Sequence, residues 1–156
     1  MTATQSRAAE IDEKVERVRG YLDETDSSGV LLSHPFLVSW ITAGSEDVIL
    51  RGEGEGFVWA VVTPERRYLV TSNIEARRLE SEEGLEELGF ELVEVPWYEG
   101  HFSSAVAERC DVERLVASNN AFGILWANPP YDHDKVAKGS KRIEFTYLRH
   151  AWKWVW

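Results

Sequence analysis

Cysteine is nearly absent from the 156 residues, with Cys110 alone, so no internal disulfide and no multi-thiolate zinc site can form. No surrounding pattern marks Cys110 as a nucleophile, and it reads as a small buried hydrophobe. Long apolar runs are missing too. Nothing approaches the roughly 18 uninterrupted apolar residues of a membrane helix, and the opening MTATQSRAAEIDEK lacks a basic-then-apolar leader pattern. The expectation is a soluble, cytoplasmic chain that meets no membrane. Apolar residues make up 44% of it, enough at this length for one packed core.

Positive charge is scarce over most of the chain. The net charge is -10, but residues 119–156 carry six Lys or Arg against three Asp or Glu, leaving 11 basic and 24 acidic residues before them. That final quarter also holds four of the seven tryptophans. An acidic body disfavours non-specific nucleic-acid binding, which a basic, Trp-rich end tolerates, and the shift marks a change of character along the chain.

Ile11, Val15, Val18 and Leu22 space as one stripe of an amphipathic helix that stops near Asp26-Ser27-Ser28-Gly29. Val30-Leu31-Leu32 reads as a buried strand, and Pro35 to Thr42 as a helix with proline in its first turn and Gly44 after its end. Phe57 to Thr63 and Arg67 to Thr71 form a hairpin around Pro64-Glu65-Arg66. Asn73 is placed to cap a helix over Ile74 to Glu83, and a strand over Phe90 to Val95 follows Gly89. This order predicts an α/β fold, a small mixed sheet covered by helices on at least one face. Ser103 to Arg109 is predicted helical, with short strands at Leu115 to Ala117 and Ala121 to Trp126. Asn128-Pro129-Pro130-Tyr131 makes a stiff loop, and Phe145, Leu148, Trp152 and Val155 mark a last amphipathic helix, giving a C-terminal strand-loop-helix extension.

Four linked motifs carry a family resemblance: Trp40-Ile41-Thr42-Ala43-Gly44, Thr63-Pro64, Ser72-Asn73-Ile74-Glu75-Ala76 and Val95-Pro96-Trp97-Tyr98-Glu99. In this order they resemble the N-terminal, creatinase-type domain of Xaa-Pro aminopeptidase-like metallopeptidases, with Ala43 and Ser72 standing where Gly and Asn are expected. The resemblance covers about Ala8 to Gly100 and implies a domain over residues 1–118. It further implies a non-catalytic part that caps a separate pita-bread domain and helps build dimers. The two divalent metals of such a peptidase would sit on two Asp, one His and two Glu of that missing domain, so no metal, cofactor or catalytic residue is assigned here. The expected partners are a second copy or the missing catalytic domain, and the chain alone is expected to be inactive. The acidic run from Glu80 to Glu87 reads as a solvated face, His34 and His101 as structural, and Trp40, Trp97 and Tyr98 as packing the core or an interface.

Residues 119–156 resemble a different family. Asn128-Pro129-Pro130-Tyr131 after an apolar strand is similar to the motif of adenine-specific DNA methyltransferases, and it would arise by chance in about one chain in a thousand of this length. The resemblance, which transfers to Asn128, Pro129, Pro130 and Tyr131, implies that Asn128 and the Pro129 carbonyl accept hydrogen bonds from a target amine and that Tyr131 stacks on a flipped base. Under this alternative the cofactor is S-adenosylmethionine and the partner is nucleic acid. The Gly-rich strand-to-helix turn that would hold the cofactor is lacking, because Gly52-Glu53-Gly54-Glu55-Gly56 precedes a strand. The leading expectation is a peptidase-type domain joined near residues 110 to 120 to a methyltransferase-like fragment. The alternatives are a nucleic-acid-linked protein, or one small domain that takes its last helix into its own core.

Overall fold

In the computed structural model, residues 3–45, 57–98 and 102–117 are described. The first helix, α1 (Ala3–Thr25), buries Ile11, Val15, Val18 and Leu22, the predicted stripe. Along it run the pairs Glu10–Lys14, Glu13–Arg17 and Glu16–Arg19 at helical spacing, of which the exposed Glu13–Arg17 contributes a few tenths of a kcal/mol. The helix ends where Asp26 adopts a φ of 51° and the Ser27 N–H donates to the Leu22 carbonyl at 3.0 Å. That bond satisfies one of the orphan carbonyls of the last turn.

Strand β1 (Gly29–Leu32) leads into α2 (Pro35–Ile41), whose predicted first-turn proline is observed. His34 caps α2, its Nδ1 accepting from the Phe36 N–H at 3.3 Å. The hairpin β2 (Val58–Val62) and β3 (Arg67–Ser72) follows, then α3 (Asn73–Arg78), a π turn at Leu79–Glu83, and β4 (Glu91–Val95). A short helix α4 (Phe102–Ala107) and a 3-10 turn at Val112–Arg114 precede β5 (Leu115–Ala117).

The five strands form one mixed sheet in the order β4-β3-β2-β1-β5. β2 runs antiparallel to β1 and β3, whereas β4 pairs parallel with β3 and β5 parallel with β1. Alternation of side chains then sorts the core into two layers. Leu32, Val58, Ala60, Val62 and Leu69 face α1 and α2, together with Leu79, Leu85, Leu88 and Phe90. Leu31, Trp59, Val61, Tyr68, Val70, Val93 and Val95 face the other way, against Ala105 and Val106 of α4. Helices therefore cover both faces, which is why all five residues of the central strand β2 are buried and read as one apolar run.

Polar ties hold the helical layer. Arg7 donates to the Thr42 carbonyl at 3.1 Å, to the Glu83 carbonyl at 3.2 Å and to the Glu83 carboxylate at 3.1 Å, fixing α1 to the ends of α2 and the π turn. β5 is secured by the Ser28 N–H, which donates to the Arg114 carbonyl at 2.9 Å, and by an ion pair between Arg114 and Asp26 at 3.2 Å.

Two expectations need correction. The cap of α3 is Ser72, whose Oγ accepts from the Glu75 N–H at 3.3 Å, and not Asn73. The single helix expected over Ile74 to Glu83 is α3 followed by the π turn, which Gly84 closes at a φ of 59°. The expected strand at Ala121 to Trp126 and the helix through Phe145 and Val155 lie outside the described residues, as does His101. Among the described residues no helix is long and apolar enough to cross a membrane.

Candidate functional site

Strands β1, β3, β4 and β5 are mutually parallel, so their C-terminal ends meet at one end of the sheet, where the antiparallel β2 begins. That end carries an unusual set of side chains. Phe36 follows β1, Phe57 precedes β2, Ile74 follows β3, and Trp97 and Tyr98 follow β4. They are between 44% and 80% exposed, and among the described residues they are all of the exposed large hydrophobics. Four neighbouring strand ends, at about 4.8 Å per strand, spread them over about 14 Å. Apolar side chains are thus gathered where open α/β sheets commonly receive ligands or partners.

Local bonding fixes their placement. The Ser72 cap turns the chain into α3, and the adjacent Asn73 accepts the Trp97 N–H through Oδ1 at 3.0 Å, joining the ends of β3 and β4. Thr71 Oγ1 donates to the Phe57 carbonyl at 2.8 Å. Trp97 and Tyr98 meet edge to face with ring centres 5.9 Å apart, and His34 stacks on Phe36 at 5.1 Å. Glu75, next to Ile74 in α3, is buried and paired with Arg78 at 2.9 Å; burial lowers the Arg78 pKa, but the ion pair outweighs it and the net shift is upward.

At the opposite end of the sheet, a groove of about 390 Å³ is lined by Asp12, Arg19, Arg66, Arg67 and Glu91 among others. Its arginines are engaged within the protein. Arg66 pairs with Glu91 at 3.0 Å, Arg67 with Asp12 at 2.7 Å, and Arg19 with Glu16 at 2.9 Å, so an incoming anion would have to displace an existing carboxylate. Among the described residues no three His, Cys, Asp or Glu side chains are grouped to hold a metal ion, and they do not supply the five-ligand set of a two-metal peptidase.

The residues singled out from the sequence fall in different settings. His34 is the structural cap described above, and Trp40 packs on the core with Lys14 Nζ 5.4 Å from its ring centre. Glu80, Glu86 and Glu87 are solvated as expected, but Glu83 is spent on Arg7. Cys110 is half-buried, less enclosed than expected, with Sγ donating to the Val106 carbonyl at 3.3 Å and its pKa pushed up to about 11, chiefly by desolvation. Trp97 and Tyr98 do not pack the core. Asn128, Pro129, Pro130 and Tyr131 lie outside the described residues. Sequence reading did not foresee the apolar sheet end as a unit. Its available signal was that an aromatic or branched apolar residue sits just beyond each of four strand boundaries.

The sequence matches no protein-family model and no curated protein at a significant level. Among solved structures, a Xaa-Pro dipeptidase from Bacillus anthracis is similar over 74% of this chain with a TM-score of 0.50 and 17% identity. This chain spans 30% of that dipeptidase's length. An aminopeptidase P from Streptococcus thermophilus aligns over 75% of this chain and 84% of its own, with a TM-score of 0.46 and 12% identity. At 17% identity it is the fold that is shared with the dipeptidase, and the mixed five-stranded sheet with its helices is consistent with a creatinase-like N-terminal domain.

Proposed function

We propose that the chain is a non-catalytic domain of Xaa-Pro peptidase type, whose role is association and capping. The observation that carries the reading is the concentration of exposed Phe36, Phe57, Ile74, Trp97 and Tyr98 at one sheet end, on a fold shared with part of a much longer dipeptidase. Rigid aromatic side chains gathered in one patch suit a partner surface, because they offer large apolar area at a small cost in conformational entropy. A hydrolytic role would require converging carboxylates and imidazoles, whereas the acidic side chains described here either point to solvent or hold arginines such as Arg7 and Arg78.

Incubation of the purified chain with Xaa-Pro dipeptides and added manganese or cobalt tests the reading. Release of the N-terminal residue should stay at the buffer rate. Metal-dependent turnover that co-purifies with the chain through successive columns would overturn it.

A further inference from the structure

The apolar sheet end has an occupant within reach in the same polypeptide. β5 runs parallel to β1 and ends at Ala117, so the chain leaves the sheet at the end that carries the exposed aromatics. From β5 across the sheet to β4 is four strand spacings, about 19 Å, which about six extended residues cover. Residues 118–156 number 39, ample to reach every part of the patch.

Their composition fits the surface. They include Trp126, Trp152, Trp154 and Trp156 together with Phe122, Phe145 and Leu148. Six Lys or Arg stand there against three acids, facing a body of 11 basic and 24 acidic residues, so long-range attraction favours the approach. A tether of this length also holds the segment at an effective concentration in the millimolar range, well above that of a second copy at micromolar protein. Connection, charge and apolar content therefore select the same occupant.

We propose that residues 118–156 dock in cis on the sheet end formed by Phe36, Phe57, Ile74, Trp97 and Tyr98. The inference rests on the association role proposed above, with the partner now a segment of the same chain. It does not depend on the hydrolysis result.

Photocrosslinking in the full chain tests it, with Trp97→p-benzoylphenylalanine as one variant and Ile74→p-benzoylphenylalanine as a second whose own side chain is not aromatic. Irradiation at low and high micromolar protein should give a crosslinked monomer in a yield independent of concentration, with the new bond mapping into residues 118–156. Glu65→p-benzoylphenylalanine, at the far end of the sheet, should yield several-fold less of that product. Crosslinks to a second copy that grow with concentration would overturn docking in cis while leaving the association role standing. Crosslinks to no segment of any chain would also overturn docking in cis.

Discussion

Asn73 and Trp97, 24 residues apart, are joined by one bond: the Asn73 Oδ1 accepts the Trp97 N–H at 3.0 Å. The bond replaces a ladder interaction just where β3 and β4 part, after the last register pair Ser72 and Val95. Asn73→Ala leaves that N–H to water and should cost about 0.5–1 kcal/mol, the lower part of the range for a lost hydrogen bond because the site is exposed. Asn73→Asp keeps an acceptor in place and should cost less than Asn73→Ala. Urea midpoints of the two variants check the order, and equal losses would show that the bond does not contribute.

Arg67 and Gly89 form a second, tighter relationship. Arg67 donates to the Gly89 carbonyl at 2.9 Å, to the Leu88 carbonyl at 2.7 Å and to Asp12 at 2.7 Å, while its guanidinium lies 5.2 Å from the Phe90 ring centre. Gly89 has a φ of 85°, and a Cβ there would stand 2.2 Å from the Arg67 Nη2. Arg67→Met should cost about 1–3 kcal/mol through lost charge-assisted bonds. Gly89→Ala should cost a similar amount, from the left-handed backbone and from the clash. In the Arg67→Met background the clash is gone, so the double variant should lose less than the two single losses together. Strict additivity in a denaturation cycle would contradict the proposed contact.

The resemblance motif around Trp40 leads to a prediction of the opposite sign. Ala43 stands where glycine is expected, and it adopts a φ of 52° just beyond α2, beside Gly44 at 103°. An alanine in the left-handed region costs about 1–2 kcal/mol, against which glycine loses part of its gain to the entropy of the unfolded chain. Ala43→Gly should therefore stabilise the protein by about 0.5 kcal/mol net, read as a higher thermal midpoint. A lower midpoint would mean that the half-buried alanine methyl contributes more packing than the backbone loses in strain.

Most of the described architecture was legible because it rests on local periodicity. The stripe Ile11, Val15, Val18 and Leu22, the proline opening α2 and the hairpin around Pro64 each have one reading in the sequence, and each is observed. The cap of α3 was not legible, since Ser72 and Asn73 are both good capping residues and the choice depends on a bond from Asn73 to Trp97 across the sheet. The burial of both faces was equally hidden, because α4 arrives from residues far beyond the hairpin it covers. The apolar end escaped notice for a related reason. Phe36, Phe57, Ile74 and Trp97 lie up to 61 positions apart and become neighbours only once the strand order is known.

Cys110 supplies a prediction in pH. Desolvation and, secondarily, Asp111 push its thiol from the usual 9.0 up to about 11, so at pH 8 about a hundredfold less thiolate is present than for a free side chain of that type. A neutral disulfide reagent should accordingly label the folded chain about two orders of magnitude more slowly than the urea-unfolded chain, with a rate that keeps rising beyond pH 9. The same shift bears on stability. The folded state holds this proton more tightly, so the contribution is full below pH 9 and is lost as pH climbs towards about 11. Cys110→Ser removes most of that alkaline loss, and denaturation midpoints of the two chains should converge as pH rises through this window. Midpoints that stay parallel from pH 8 to pH 11 would assign the alkaline sensitivity to other groups.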